Sequence, residues 1–190
     1  TQNQALRACY GCRTMAEDRT IDIDTRLGRR TVQTDKIVHF PRGLAGFEKE
    51  HEFVLLQVQP DAPLLVLQSV SNPQVGLLVA DPYSFRPSYP VIIGDADQAL
   101  LRLQQEEDAA VLVTVSIPEG DPANALLNLM GPIIINHKNC VGVQVAQMGD
   151  GPTQARIGDH MGNARPAGKG KRDLRFTPAP PDGGERESSS

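Results

Sequence analysis

The sequence predicts a mainly β protein, an antiparallel barrel-like or sandwich fold of about eight short strands with two short helices. Three observations predict this class. Short apolar runs are separated by turn sequences such as "QPDAP" and "SNP". The run "CVGVQVA", residues 140–146, alternates in the manner of a half-buried strand. A regular succession of strand, helix and strand is missing, which disfavours a doubly wound parallel sheet.

Eight segments carry the strand pattern. They are residues 31–40, 53–58, 64–70, 75–80, 91–94, 109–117, 132–136 and 140–146. The sequence "HKN" between the last two segments predicts a hairpin loop.

Two stretches predict short helices. In residues 94–108, apolar side chains recur three or four positions apart and give one apolar face, with Asp95 as the expected cap. These apolar residues are Ala96, Ala99, Leu100 and Leu103. In residues 121–130, Asp121 is the expected cap, and Pro122 suits the first helical position, where no backbone N–H is needed.

The 190 residues predict one domain with loose ends. Only 39% of them are hydrophobic and none is Trp, a low apolar content for a chain folded throughout. We expect a disordered leader over residues 1–30, with Met15 as a candidate natural start, and a single β domain over residues 31–150. Residues 151–190 are rich in Gly, Pro and Ser, which predicts a disordered tail.

The net charge of −4 is unevenly spread. Residues 31–150 hold six basic and fourteen acidic side chains, whereas each end carries a net charge of +2. Acidic protein repels phosphate, so a nucleic-acid surface is not expected in the middle of the chain. The acidity suits a basic partner or plain solubility. No run reaches the roughly 20 apolar residues of a membrane span, and we expect a soluble, cytoplasmic protein without membrane contact.

Candidate catalytic and metal-binding groups are sparse. Cys9 and Cys12 form a C-x-x-C, which is half of a zinc site or a redox pair, but no second pair stands at workable spacing. Neither G-x-S-x-G nor H-E-x-x-H occurs. The sequence therefore predicts a protein that is not an enzyme, without catalytic residues, metal or cofactor. The alternative is a small β-barrel zinc- or ligand-binding protein, or an enzyme, that uses Cys9 and Cys12.

The sequence "FPRGLAGFE", residues 40–48 and here called the signature turn, carries two glycines between two phenylalanines. A dinucleotide-binding loop needs G-x-G-x-x-G followed by a helix, and this stretch has neither. Pro41 fixes φ, whereas Gly43 and Gly46 permit positive φ. The apolar side chains can fold back onto the core; they are Phe40, Leu44 and Phe47. A structured turn pinned by aromatic residues is the favoured interpretation.

The signature turn resembles the F-P-x-G-L-x-G-F-E motif of the FliW family of bacterial flagellar assembly factors. Three further stretches fit in the same order. They are "LQS" at residues 67–69, "LLVADP" at 77–82, and "NLMGPIIIN" at 128–136, which is similar to the family's N-L-x-x-P-x-x-I-N. The resemblance covers residues 31–146.

This resemblance implies an interaction protein. Members of the family bind flagellin in the cytoplasm and also bind CsrA, a small basic RNA-binding repressor of flagellin translation. The two partners form a switch: when flagellin is exported, the freed family member binds CsrA and relieves repression.

The resemblance and the charge pattern together suggest where partners would bind. We expect CsrA to contact acidic side chains, namely Glu48, Glu50, Glu52, Glu106, Glu107 and Asp108. We expect flagellin to contact the rim of the signature turn, at Phe40, Leu44 and Phe47. Structural roles in shaping the backbone are expected for Pro41, Gly43, Gly46, Asn128, Pro132 and Asn136.

Overall fold

The computed structural model describes residues 19–57, 63–159 and 173–177. These residues contain thirteen strands, and β1 to β13 are Thr20–Thr25, Gly28–Gln33, Val38–His39, Glu52–Gln57, Leu64–Ser69, Gly76–Ala80, Pro90–Ile93, Ala109–Ser116, Leu126–Asn128, Ile133–Asn136, Val141–Gln144, Gln154–Arg156 and Asp173–Phe176. The α-helix α1 spans Asp95–Leu101. Single 3-10 turns lie at Thr34–Lys36, Pro82–Ser84, Glu106–Asp108 and Pro122–Asn124.

Nine strands form one mixed sheet in the order β10-β11-β3-β4-β5-β6-β8-β9-β12. An additional pairing between β10 and β8 curls this sheet round on itself. Strands β9 and β12 continue beyond β8 as an open end, so the sheet is not a closed barrel. The hairpin β1–β2 and the pair β7–β13 form two smaller sheets.

The mainly β prediction is confirmed, whereas two of its details are wrong. Strand β11 runs parallel to β3, and β13 runs parallel to β7, so the sheets are not purely antiparallel. The described residues also hold one α-helix instead of two. In residues 121–130, Asp121 caps a 3-10 turn by accepting a hydrogen bond from the amide of Asn124. The chain then extends as β9, because pairing with β8 and β12 buries Leu127 fully.

The predicted helix at residues 94–108 is confirmed as α1 but is shorter. Its cap is Gly94, and Asp95 is the first helical residue, where a carboxylate still complements the helix dipole. The helix ends at Arg102, which takes a left-handed conformation with φ 52°. The predicted "HKN" hairpin connects β10 to β11.

Three groups of buried side chains pack the sheets and the helix against one another. The largest lies between β7, α1, β8 and β9, and it includes Val91, Leu101 and Leu127. The second joins the signature turn to β4, β5 and β10. In the third, Ile23 and Val32 of the β1–β2 hairpin pack on Val54 of β4.

Both predicted loose ends contain strands. Strand β1 and the first half of β2 lie in the expected leader, and β12 and β13 lie in the expected tail. Residues 1–18, with Cys9, Cys12 and Met15, are outside the described residues, as are 160–172 and 178–190. Among the residues described, no helix has the length and hydropathy to cross a bilayer.

Candidate functional site

The backbone of the signature turn depends on its two glycines. Gly43 and Gly46 have φ of 64° and 81°, in the left-handed region that side chains disfavour. The amide of Phe47 donates to the carbonyl of Leu44 at 2.7 Å and closes the turn. A Cβ at Gly43 would lie 2.7 Å from the backbone of both Phe47 and Glu48, whereas one at Gly46 would meet open space. The chain therefore crosses itself closely at Gly43 only.

The apolar side chains of the turn belong mainly to the core. Phe40 is fully buried and packs edge-on against Phe53, with ring centroids 5.4 Å apart. Its ring lies directly over Gly142 of β11, where a Cβ would overlap it. Leu44 is also buried, and Phe47 is half-buried. Of the three side chains expected to meet flagellin, only Phe47 is partly open to solvent.

Gln144 at the end of β11 ties the signature turn to the "NLMGPIIIN" stretch. The side-chain oxygen of Gln144 accepts a hydrogen bond from the amide of Ala45 at 2.8 Å. Its side-chain amide donates to the carbonyl of Gly131 at 3.1 Å. The two stretches are 80 residues apart in sequence, and this side chain joins them by hydrogen bonds in addition to their core packing. In the sequence, Gln144 is only a polar position in an alternating strand, which does not reveal this role.

Glu50 lies beside the turn at the centre of a hydrogen-bonded group, here called the Glu50 cluster: Glu50, Ser69, Ser71 and Asn72. One oxygen of Glu50 accepts from the hydroxyls of Ser69 at 2.7 Å and Ser71 at 2.8 Å, and the other accepts from the Asn72 amide at 3.2 Å. These bonds, with Ser69 first, lower the pKa of Glu50 from its usual 4.5. The carboxylate is thus kept ionised by neutral donors.

The neighbouring Gln68 shapes the loop that supplies those donors. Its side chain is 1% exposed, and its amide nitrogen donates to the carbonyls of Asn72 at 3.1 Å and Val75 at 3.0 Å. Ser69 in turn accepts a hydrogen bond from the amide of Asn72. The short "LQS" stretch therefore folds the loop over residues 70–75 and places its polar groups against Glu50.

The exposed carboxylates next to the turn are those of Glu48 and Glu52. Glu48 accepts a hydrogen bond from the amide of Gly46 at 2.9 Å, and backbone hydrogen bonds, with Gly46 first, lower its pKa. Two cations stand among these acids: Lys49, which is exposed, and Arg42, which forms an ion pair with Asp97 of α1 at 2.6 Å. This surface is anionic, with basic side chains interspersed.

The second acidic region is the 3-10 turn Glu106–Asp108, which precedes β8. Asp108 is buried, and its carboxylate lies 2.8 Å from the ammonium of Lys138 in the β10–β11 loop. His137 donates its amide to the carbonyl of Asp108, and its ring nitrogen Nε2 lies 2.9 Å from the carbonyl of Glu107. The carboxylates of Glu106 and Glu107 point to solvent, whereas that of Asp108 is used within the fold.

The polar residues of "NLMGPIIIN" make contacts inside the chain. Asn136 is buried and donates to the carbonyl of Leu101, which fastens β10 to the end of α1. Its side-chain oxygen accepts from the amide of Lys138. Asn128 accepts from the amide of Met130, and Pro132 is buried. Pro41, by contrast, is exposed at the start of the signature turn.

The two acidic regions lie on different strands of the sheet. The first lies before and at the start of β4, and the second precedes β8. By one route round the sheet, β5 and β6 separate β4 from β8; by the other, β3, β11 and β10 do. In the strand register, Glu52 and Ala109 lie in one row, linked through His39, Val141 and Asn136. The two regions are therefore two candidate contact surfaces at the same end of the sheet.

Cysteine and metal chemistry find little support among the described residues. No three His, Cys, Asp or Glu side chains there are grouped as metal ligands. Cys140 is half-buried, and its thiol donates to the carbonyl of Asp35 at 3.3 Å. The Cys9 and Cys12 pair lies in the part of the chain that the structure does not describe.

Comparison with known proteins gives one family. The model of the FliW protein family matches residues 22–157. A flagellar assembly factor FliW from Desulfovibrio desulfuricans is 57% identical over 82% of this chain and 92% of its own. One from Treponema pallidum is 37% identical over 68% of this chain and 86% of its own.

A solved structure agrees with these matches. The crystal structure of a flagellar assembly factor FliW superimposes with a TM-score of 0.67 at 31% identity, over 72% of this chain and 96% of its own. The signature turn, the Glu50 cluster and the Gln144 link all lie within the matched residues 22–157. The chain belongs to the FliW family.

Proposed function

We propose that the protein is a cytoplasmic flagellar assembly factor that works by binding other proteins and catalyses no reaction. It binds CsrA and relieves the repression of flagellin synthesis, and it binds flagellin as a chaperone. Support comes from relatives named flagellar assembly factor FliW, at 57% and 50% identity over most of the chain. The resemblance of the four sequence motifs to the family supplies the two partners.

The CsrA proposal rests on the ionisation of the carboxylates beside the signature turn. Glu48 and Glu50 accept hydrogen bonds from backbone amides, hydroxyls and a side-chain amide, and these bonds lower both pKa values. Neutral donors therefore account for most of the stabilisation of these charges, and the positive charge of His51 makes a smaller contribution at Glu50. A basic protein can supply a cationic partner, and complementary charge favours both its specificity and its rate of association.

The proposed flagellin contact is the rim of the signature turn, centred on Phe47. This side chain is half-buried, and the backbone around it is held by the hydrogen bond from Phe47 to Leu44 and by the bond from Ala45 to Gln144. A rigid rim loses little conformational entropy when a partner binds. It adjoins Glu48, so bound flagellin would cover part of the surface proposed for CsrA.

The two partners form a switch by mass action. Flagellin that accumulates in the cytoplasm occupies the protein and leaves CsrA free to repress. Export of flagellin releases the protein, which then binds CsrA. Because the proposed surfaces overlap, each partner lowers the apparent affinity for the other by a factor that grows with its own free concentration.

The experiment is calorimetric titration of the purified full chain with CsrA and with flagellin, each alone and in the presence of the other. The double variant Glu48→Gln/Glu52→Gln should bind CsrA at least tenfold more weakly, because it removes two exposed charges. Glu119→Gln, at an exposed carboxylate in the loop after β8, is the matched control and should bind as the unmodified chain does. A lack of binding to both partners at micromolar concentrations would refute the proposal.

The same double change at the other acidic surface, Glu106→Gln/Glu107→Gln, tests the location of the CsrA site. We expect little change in CsrA affinity from this variant. A tenfold loss here, with Glu48→Gln/Glu52→Gln unchanged, would move the contact to the 3-10 turn before β8.

A further inference from the structure

A cavity of about 190 Å³, here called the β7 cavity, lies between β7 and the loops that follow β9 and β11. Its lining includes the buried side chains of Tyr89 and Leu129, together with Ile92, Met130 and Met148. An apolar cavity of roughly 150 Å³ is enough to hold benzene. The β7 cavity is therefore large enough for one aromatic ring with a short substituent.

Two side chains of the β7 cavity are apolar groups that remain open to water. Ile92 is 42% exposed and Met148 is 90% exposed. In the described part of the chain five large apolar side chains are exposed, and these two of the five lie at one place. Exposed apolar groups gathered beside a cavity are typical of a binding site, because a ligand removes them from water.

Most polar groups of the cavity wall are already used within the fold. Tyr89 donates its hydroxyl hydrogen to the carbonyl of Leu129 at 2.6 Å. The side chain of Gln147 accepts from the amide of Ile92 at 2.8 Å and donates to the carbonyl of Ile92 at 3.0 Å. These bonds join the β7 segment to both loops, so a ligand meets walls that are already in place and loses less free energy in ordering them.

Arg86 is the exception among these polar groups. It lines the cavity and is half-buried, whereas every other arginine in the described residues is exposed. Within those residues its side chain makes no hydrogen bond or ion pair, whereas Arg42 and Arg29 each pair with an aspartate. Partial removal of an unpaired guanidinium from water costs free energy, which an anion bound beside it offsets.

The charge of Arg86 also reaches the wall of the cavity. Burial raises the pKa of Tyr89, the neighbouring Tyr83 adds to this rise, and the positive charge of Arg86 opposes it. Such an effect weakens with distance, so the guanidinium lies near the ring of Tyr89. The β7 cavity thus combines an apolar space with one positive charge that lacks an acidic partner in the described chain.

We propose that the β7 cavity binds a small aromatic monocarboxylate. The ring lies among Tyr89, Met130 and Met148, because methionine sulfur makes favourable contacts with aromatic rings. The carboxylate pairs with Arg86, since a planar guanidinium can donate two parallel hydrogen bonds to it. This inference goes beyond the function proposed above and depends on neither CsrA nor flagellin.

The test is calorimetric titration of the full chain with phenylacetate, which has one ring and one carboxylate. We expect a Kd below about 1 mM, as befits a ligand of this size in a preformed cavity. Phenylethanol keeps the ring without the charge, and acetate keeps the charge without the ring. Each should bind at least tenfold more weakly than phenylacetate. Failure of phenylacetate to bind at millimolar concentration, or equal binding of phenylethanol, would overturn the proposal.

Arg86→Met tests the source of the charge recognition. It should lower the affinity for phenylacetate at least tenfold and leave that for phenylethanol within twofold. Arg156→Met, at an exposed arginine of β12 outside the cavity lining, is the matched control and should bind phenylacetate as the unmodified chain does. Equal losses in the two variants would refute the role of Arg86. Arg86→Lys keeps a cation at this position and should lose less affinity than Arg86→Met.

The methionine methyl groups locate the bound ring independently of any change at Arg86. In a chain labelled with ¹³C at its methionine methyls, phenylacetate should shift the signals of Met130 and Met148 through its ring current, and acetate should not. Met130→Leu and Met148→Leu assign the two signals. Calorimetric binding that leaves both signals unmoved would place the ligand elsewhere, and the proposal would fail.

Discussion

Around the signature turn, Glu50 is held by neutral hydrogen-bond donors, whereas in the second acidic region Asp108 is buried against the ammonium of Lys138. Both regions read as acidic runs in the sequence. The first keeps its negative charge available near the surface, and the second uses one of its three carboxylates to fasten β8 to the β10–β11 loop. A count of acidic residues therefore overstates the charge that a partner can meet at residues 106–108.

The largest expected effect comes from the closest backbone approach in the first region. Gly43→Ala adds a Cβ that meets the backbone of Phe47 and Glu48 at 2.7 Å, at a φ of 64°. We expect a loss of about 3 kcal/mol in the free energy of unfolding, from strain and overlap together. Urea denaturation measures it.

Gly46→Ala is the matched control for this change. Its φ of 81° is also positive, but the added Cβ meets nothing within 4 Å. The expected loss is about 1 kcal/mol, the strain alone. Equal losses for the two variants would mean that the close crossing at Gly43 carries no cost.

The second prediction concerns the ion pair of the other region. Lys138→Met removes the cation next to the buried carboxylate of Asp108. We expect a loss of about 2 kcal/mol in the free energy of unfolding, below the roughly 3–5 kcal/mol of a fully buried pair, since the lysine side chain is 53% exposed and water can reach it.

Arg29→Met serves as the surface comparison for Lys138→Met. Arg29 in β2 is exposed and lies 3.8 Å from Asp24, a pair expected to contribute under about 0.5 kcal/mol. If both variants lose the same free energy of unfolding, the buried carboxylate of Asp108 does not need the ammonium of Lys138 to be stable. The proposed difference in how the two acidic regions hold their carboxylates would then be wrong.

The elements that were predictable have local signals. The alternation of apolar and small or polar residues in β11 and the helical spacing of apolar residues in α1 are patterns of neighbouring residues, and both elements form. Gly43 and Gly46 of the signature turn permit positive φ, and both residues adopt it. Asp121 and Pro122 suit the start of a helix over residues 121–130, but pairing on both sides makes residues 126–128 strand β9.

The contacts that organise the candidate site were not predictable, because their partners are distant in sequence. Gln144 joins residues 45 and 131, and Ser69, Ser71 and Asn72 reach back about 20 positions to Glu50. A polar residue in a strand does not indicate which carbonyl or carboxylate it will meet. Pairing of β13 with β7 likewise depends on the sheet and not on the four residues of β13 themselves.

The third prediction is a pH dependence centred on Glu50. Its folded pKa lies below 4.5, so its ionised form stabilises the fold at pH values above 4.5. That contribution is lost as the pH falls from 4.5 through the lowered pKa. Urea midpoints of the unmodified chain should therefore decline over this range, and those of Glu50→Gln should start lower at pH 7 and decline less.

Glu106→Gln is the control in this series, since Glu106 is an exposed carboxylate of the other region. Its midpoints should parallel those of the unmodified chain. An acid decline that is equally steep in Glu50→Gln would show that the Glu50 cluster is not its source.

The smallest expected effect concerns the ion pair between the signature turn and α1. Arg42 in the signature turn pairs at 2.6 Å with Asp97 of α1, and α1 is fastened to β10 through Asn136. Arg42→Ala should cost about 0.5 kcal/mol, because the arginine is largely exposed and salt screens the pair. The double-mutant cycle with Asp97→Ala should give a coupling energy of similar size that fades in 1 M salt. A coupling well above 1 kcal/mol would mean that this ion pair fastens the signature turn to α1 more strongly than an exposed pair can.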